Sequence, residues 1–188
     1  MDEIKKLHRF FALKEVERVI LVKERQESTA EHVYSSLMLA QYFLPRIGKS
    51  LDEKKVMKII LYHDLVEIEA GDVFILDVEG RKNKKEKERV AFQKLKEQIP
   101  QSMVKEIEAL WNEYEEKKTP EAKFCNAIDK LDPCIHLLED KKIWQKYKLT
   151  EPIIRKMKDH HFKEFPQIMQ MWNKIVEYAK KNGYFDGN

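Results

Sequence analysis

At 188 residues, 43% of them hydrophobic and 37% charged, the chain has the composition of one folded domain and not of a disordered segment. Its 36 basic and 33 acidic residues leave a formal charge of +3 spread through the sequence, which excludes the basic footprint of a nucleic-acid binder. The start Met1-Asp2-Glu3-Ile4-Lys5-Lys6 is charged, and no apolar run approaches the roughly 18 residues that span a bilayer, so neither a secretory signal nor a membrane segment is expected.

Apolar periodicity predicts helices over about 3–22, 29–45, 51–69, 83–98, 101–117, 120–140 and 164–181. Ser28-Thr29-Ala30-Glu31 and Ser50-Leu51-Asp52-Glu53 both have capping-box form and open apolar runs. Strand patterns are almost absent; Val73-Phe74-Ile75-Leu76 is too short and isolated to build a sheet. Ala70 to Lys82 is the one substantial loop, and the basic run from Lys82 to Arg89 reads as a solvated helix start. Thr119-Pro120 supplies an N-cap and first helical position, while Pro133 is expected to kink the sixth helix or restart it. Cys125 and Cys134 are nine positions apart on that helix, about 13 Å along its axis, too far for a disulfide. Free thiols without a secretory signal point to the cytoplasm. The expected fold is an all-α, single-domain helical bundle covering 1–188.

One turn of the third predicted helix concentrates chemistry. His63 lies four after Ile59 and three after Ile60, on the apolar stripe, and Asp64 and Glu67 accompany it. Inward-facing carboxylates cost several kcal/mol unless paired or bound to a cation, and a divalent ion accepts neutral imidazole nitrogen and ionised carboxylate oxygen. His32, in the first turn of the second helix, and Asp129, flanked by Phe124, Ile128 and Leu131, are the remaining candidate ligands. Two histidines and two aspartates from three helices suit one divalent ion, with Mn, Co, Fe, Ni, Zn and Mg all compatible. Asp132, one turn beyond Asp129, is expected to face solvent or a basic neighbour. His8, His160 and His161 read as surface or packing residues, and Trp111, Trp144, Trp172, Met169 and Met171 as helix-packing or dimer-interface residues.

The series His32, His63-Asp64, Asp129 resembles the H…HD…D signature of the HD-domain metal-dependent phosphohydrolases. Tyr62-His63-Asp64-Leu65-Val66-Glu67-Ile68-Glu69-Ala70-Gly71-Asp72 is similar to the HDxxE…GD segment of the 5′-deoxynucleotidase branch. Leu13-Lys14-Glu15-Val16-Glu17-Arg18 and Glu27-Ser28-Thr29-Ala30-Glu31-His32 extend the likeness, which runs from about 5 to about 140 and leaves the last helix, about 164–181, without a counterpart. The resemblance implies an HD-type fold, usually a homodimer, that hydrolyses nucleoside 5′-monophosphates. By motif, His32, His63, Asp64 and Asp129 hold the metal and Glu67 orients or deprotonates the attacking water. Asp72 lies near the scissile bond, and Arg18 grips the phosphate with a planar fork that lysine cannot reproduce. Where some relatives carry a bulky aromatic after that arginine, this chain has Val19, so the family's preference for deoxyribose is not carried over. The loop after Asp72 also lacks the relatives' proline. Other readings of the same residues are hydrolysis of a cyclic nucleotide, an alarmone or a dNTP, or a metal- or nucleotide-binding regulator without turnover.

Overall fold

A computed structural model describes residues 2–48, 50–77 and 79–185. The helices are α1 (Asp2–Arg9), α2 (Thr29–Phe43), α3 (Glu53–Tyr62), α4 (Glu67–Ala70), α5 (Lys84–Gln98), α6 (Gln101–Glu116), α7 (Pro120–His136), α8 (Lys141–Lys146), α9 (Glu151–Phe162) and α10 (Pro166–Lys181). A hairpin of β1 (Glu17–Val22) and β2 (Arg25–Ser28) stands between α1 and α2. The all-helical expectation therefore holds but for this hairpin. Among the described residues, no helix is long and apolar enough to cross a membrane.

The predicted first helix is the main correction. It stops at Arg9, tightens through a 3₁₀ segment from Phe10 to Glu15, and becomes strand from Glu17. Val19, Ile20 and Val22 are β-branched, and Lys23 takes φ 58° in the turn, so the chain folds back into the antiparallel pairs Glu17↔Ser28, Leu21↔Gln26 and Val22↔Arg25. The predicted third helix is interrupted as well. α3 ends at Tyr62, three-residue hydrogen bonds such as Leu65 to Tyr62 and Glu67 to Asp64 tighten the next turn, and α4 is a single turn ended by Gly71 at φ 73°.

Local chemistry explains most boundaries. Ser28 and Glu31 form the predicted capping box, and Thr119 caps α7. The second predicted box is replaced by Asp52, whose carboxylate accepts from the amide of Lys55. Pro133 does not restart α7, which runs on to His136. Two helices, α8 and α9, occupy a stretch where no helix was expected.

The core is built around α7. Phe124, Ala127, Ile128 and Leu131 are fully buried against α2, α3, α6, α9 and α10, with Phe43, Ile59, Phe162 and Trp172 packed around them. A second apolar cluster joins α5 and α6, where Phe92 stacks on Trp111 at 4.8 Å. The three tryptophans are thus packing residues within the chain, and the two cysteines are buried and free.

Candidate metal centre

Three parts of the chain bring the candidate ligands together, and His63, Asp64 and Asp129 line one cavity of about 640 Å³. His32 comes from the first turn of α2, His63 and Asp64 from the end of α3 and the turn beyond it, and Asp129 from the middle of α7. His32 Nε2 lies 3.2 Å from Asp129 Oδ1 and 3.6 Å from Asp64 Oδ2. His63 Nε2 lies 3.2 Å from Asp64 Oδ2 and 4.0 Å from Asp129 Oδ1. One ligand atom each from His32, His63 and Asp129 falls within a 4.8 Å span, and all three residues are buried.

The donor set fits a divalent cation. His63 donates from Nδ1 to the Ile60 carbonyl at 2.7 Å, which leaves Nε2 with its lone pair, buried and without a hydrogen-bond partner. His32 is fixed in the same sense, because Nδ1 meets Asp132 Oδ2 at 2.7 Å and turns Nε2 toward Asp64 and Asp129. Of the two expectations for Asp132, solvent or a basic neighbour, the second holds: it is 4% exposed and orients His32. Tyr114 donates its hydroxyl to Asp129 Oδ2 at 2.5 Å, and Lys130 Nζ reaches the same oxygen at 2.7 Å.

Electrostatics follow the crowding. Burial and the Arg18 charge oppose a proton on His32, yet its bonds to Asp129 and Asp132 push its pKa up to about 10 without a metal. Burial also opposes charge on Asp64 and Asp129. It is outweighed at Asp64 by the two imidazoles and at Asp129 by Lys130 with the same imidazoles, so both carboxyls stay below their usual range. A cation of higher charge can take the place of the His32 proton and satisfy the bare His63 nitrogen together.

Beside this cluster lie the groups that could handle a phosphate. Arg18 is fed inward from β1, where Nε pairs with Glu27 Oε2 at 3.1 Å and Nη1 lies 3.7 Å from Asp72 and 4.0 Å from Asp64. Burial works against its charge, but Asp72, Asp64, Glu67 and Glu27 hold the guanidinium pKa above its ordinary value. Glu27, 2% exposed, also accepts from His136 Nδ1 at 3.0 Å, so a His136–Glu27–Arg18 chain fixes the fork. Glu67 opens α4 and accepts from Thr29 Oγ1 at 2.9 Å. Its burial and the nearby charges of Asp64 and Asp72 raise its pKa well above the usual carboxylate value.

The structure therefore brings together every residue singled out from the sequence: Arg18, His32, His63, Asp64, Glu67, Asp72 and Asp129. It adds Glu27, Thr29, Tyr114 and Asp132, which sequence reasoning missed as contributors. Glu27 and Thr29 lie inside the stretch that leads into His32, which was their only signal. Lys84 also departs from expectation. Among the basic residues of the run Lys82–Arg89 it alone is not exposed, its ammonium pairs with buried Glu88 at 2.5 Å, and it lines the cavity with Glu67 and Asp64. His161 is no plain surface residue either, since it lines the same cavity and bonds Asn126 at 3.0 Å. His8 is exposed, as expected.

Comparison with known proteins agrees with this geometry. A family model described as HD domain matches residues 11–169. The chain is 28% identical over 160 residues to the 5′-deoxynucleotidase HDDC2 of Xenopus laevis, covering 82% of this chain and 74% of that one. It is 32% identical over 116 residues to the 5′-deoxynucleotidase HDDC2 of Danio rerio, covering 62% of this chain and 56% of the relative. The chain spans little more than half of the Bos taurus and Homo sapiens proteins of that name, at 54% of each. A crystal structure titled as a predicted metal-dependent phosphohydrolase from Magnetospirillum magnetotacticum MS-1 superposes with a TM-score of 0.86 at 28% identity, covering 97% of this chain and 93% of that one. A Pyrococcus horikoshii OT3 protein, at 23% identity and a TM-score of 0.62, shares the fold.

Proposed function

The chain belongs to the HD-domain family, and on that premise we propose that it is a metal-dependent phosphomonoesterase that splits nucleoside 5′-monophosphates into nucleoside and phosphate. The observation that carries this reading is the buried, partnerless Nε2 of His63 within reach of Asp64 and Asp129, beside an arginine already held in place. The relatives named as 5′-deoxynucleotidases supply the substrate class.

In this proposal His32, His63, Asp64 and Asp129 hold one divalent ion. Such an ion, when bound, lowers the pKa of a coordinated water and draws charge from the phosphoryl oxygens. Arg18 binds the phosphate through Nη1 and Nη2 while Glu27 occupies Nε, so the planar fork meets its ligand already oriented. Glu67, whose carboxylate is held by the Thr29 hydroxyl and has a raised pKa, takes the proton of the attacking water. Asp72, next to Arg18, faces the leaving oxygen and returns a proton to it. Water oxygen bonds to phosphorus, the P–O5′ bond breaks, and the nucleoside leaves with a 5′-hydroxyl.

Val19 lines the cavity directly after Arg18 and is smaller than an aromatic ring, so ribonucleotides belong in the substrate panel with deoxyribonucleotides. We carry forward the homodimer, supported by the exposed apolar row Tyr34, Met38 and Tyr42 at four-residue spacing on α2. A cytoplasmic setting suits the two buried free thiols. The test is phosphate release from dAMP, dTMP and AMP by protein stripped of metal and then given Mn²⁺, Co²⁺ or another divalent ion. Turnover that appears only with metal restored is expected. Its absence across a nucleotide panel would overturn the proposal.

A further inference from the structure

Carboxylates crowded without enough positive charge point to a cation, and lysines crowded without enough negative charge point to an anion by the same reasoning. Lys117 closes α6 in the left-handed region at φ 51°, a conformation that glycine or asparagine adopts more easily than lysine. It is half-buried and lines the cavity, with its ammonium 5.1 Å from the centre of the Tyr114 ring. Among the described residues it enters no ion pair. The acids nearest in effect are Glu115 and Asp129. Against them stand burial, Lys130 and Lys85, which together hold the Lys117 pKa below the ordinary lysine value.

The neighbours make this corner a built one. Lys130 shares the cavity wall, and among the described residues its ammonium pairs with Asp129 alone, which leaves two of its three N–H groups for a ligand. Asn126, one turn before Asp129 on α7 and 6% exposed, bonds His161 through its amide nitrogen and leaves Oδ1 buried without a partner. An amide whose two ends can exchange, together with the remaining ring nitrogen of His161, offers hydrogen bonds to a polar ligand. The corner is separate from the Arg18 grip: Arg18 is enclosed by Glu27, Asp64 and Asp72, whereas Lys117 and Lys130 stand at Tyr114 and Asp129.

We propose that Lys117, Lys130 and Asn126 form a second anion subsite that seats a second phosphate carried by the same substrate. Its reaction rests on the phosphohydrolase reading above; its binding does not. Two nucleotides carry that chemistry. With a nucleoside 3′,5′-bisphosphate, water oxygen bonds to the 5′ phosphorus, the P–O5′ bond breaks, O5′ takes a proton, and nucleoside 3′-phosphate leaves with inorganic phosphate. With a nucleoside 5′-diphosphate, water attacks the terminal phosphorus, the P–O–P bridge breaks, and the monophosphate leaves with inorganic phosphate.

The experiment titrates full-length, metal-free protein calorimetrically with a nucleoside 5′-monophosphate, the 5′-diphosphate and the 3′,5′-bisphosphate. The metal-loaded protein is then assayed for phosphate release from all three. One added charge-assisted contact predicts that one doubly phosphorylated compound binds roughly tenfold or more tightly than the monophosphate, and which one it is separates the two sources. Lys117→Asn, which suits the left-handed backbone, is expected to erase that preference in both binding and kcat/KM ratios, while Lys117→Arg keeps it. Equal binding of all three compounds by the wild type, or a preference that survives in Lys117→Asn, overturns the subsite. A binding preference without turnover in the metal-loaded protein keeps the subsite and removes the hydrolase reading.

Discussion

Removing the carboxylate of Asp132 isolates what holds His32 in its ligand pose. Asp132 Oδ2 sits 2.7 Å from His32 Nδ1, the imidazole is fully buried, and Asp132 itself is 4% exposed. No water can replace the lost acceptor without entering the core. In Asp132→Ala the ring is free to turn, and Nε2 loses its fixed direction toward Asp64 and Asp129. A partner of this kind typically contributes roughly ten- to a hundredfold in metal affinity, about 1.4–2.8 kcal/mol. The stranded Nδ1 also costs about 1–3 kcal/mol of folding stability. Asp132→Asn keeps an acceptor and gives up only the charge, so its loss of affinity is the smaller of the two. The assay is competition for Mn²⁺ or Co²⁺ against a chelator, at a temperature where circular dichroism shows each variant folded. A folded Asp132→Ala protein that binds metal as tightly as the wild type would refute the assignment of His32 as an oriented ligand.

Glu67→Gln is expected to retain one metal per chain by elemental analysis while kcat falls on the order of a hundredfold or more; a variant that loses the metal would make Glu67 a ligand. Glu27→Gln leaves Arg18 with a neutral neighbour and should lower kcat/KM by about tenfold, mostly through KM, and unchanged steady-state constants would remove Glu27 from the site. Arg18→Ala should cost more than Glu27→Gln in the same assay, and the reverse order would separate the phosphate grip from this arginine. His32 ties stability and metal binding to pH in opposite directions. Its metal-free pKa lies near 10 against an ordinary 6.5, so its stabilisation of the metal-free fold is full below 6.5 and fades as pH rises toward 10. Metal binding expels that proton, so apparent affinity should rise up to about tenfold per pH unit over that window. Flat affinity between pH 6.5 and 9 would show that His32 carries no proton to displace.

Much of the site was legible because its chemistry is spelled in short, ordered pieces. His63-Asp64 with Glu67 and Gly71-Asp72 behind it, and His32 behind a capping box, needed only helical spacing and the cost of burying charge. The helix through 51–69 was nonetheless wrong in detail. Tight hydrogen bonds from Leu65 to Tyr62 and from Glu67 to Asp64, decided by packing against the core, break it where the ligands sit. The hairpin was hidden because Glu17–Val22 alternates too weakly to outvote the helical pattern before it, and its partner strand Arg25–Ser28 is polar. Tyr114 and Asp132 were out of reach for another reason: each matters through a contact across 15 and 100 positions of chain. α8 is only six residues long, and α9 takes its place by packing on α7, with Ile154 and Phe162 in the same apolar cluster as Leu131.

The hairpin concentrates an unusual share of function in a short reading frame. Arg18 and Glu27 sit on its two arms, Thr29 and His32 open the helix that follows, and antiparallel pairing holds Arg18 on the cavity wall beside Glu27. A residue inserted between Lys23 and Glu24 only lengthens an exposed bend and should be absorbed there. A residue deleted at Gln26 slips β2 by one against β1, exchanges its inward and outward sides, and drags Glu27 off Arg18. Evolution of this protein is therefore free to vary the tip of the ribbon but bound to keep the count of residues along its arms.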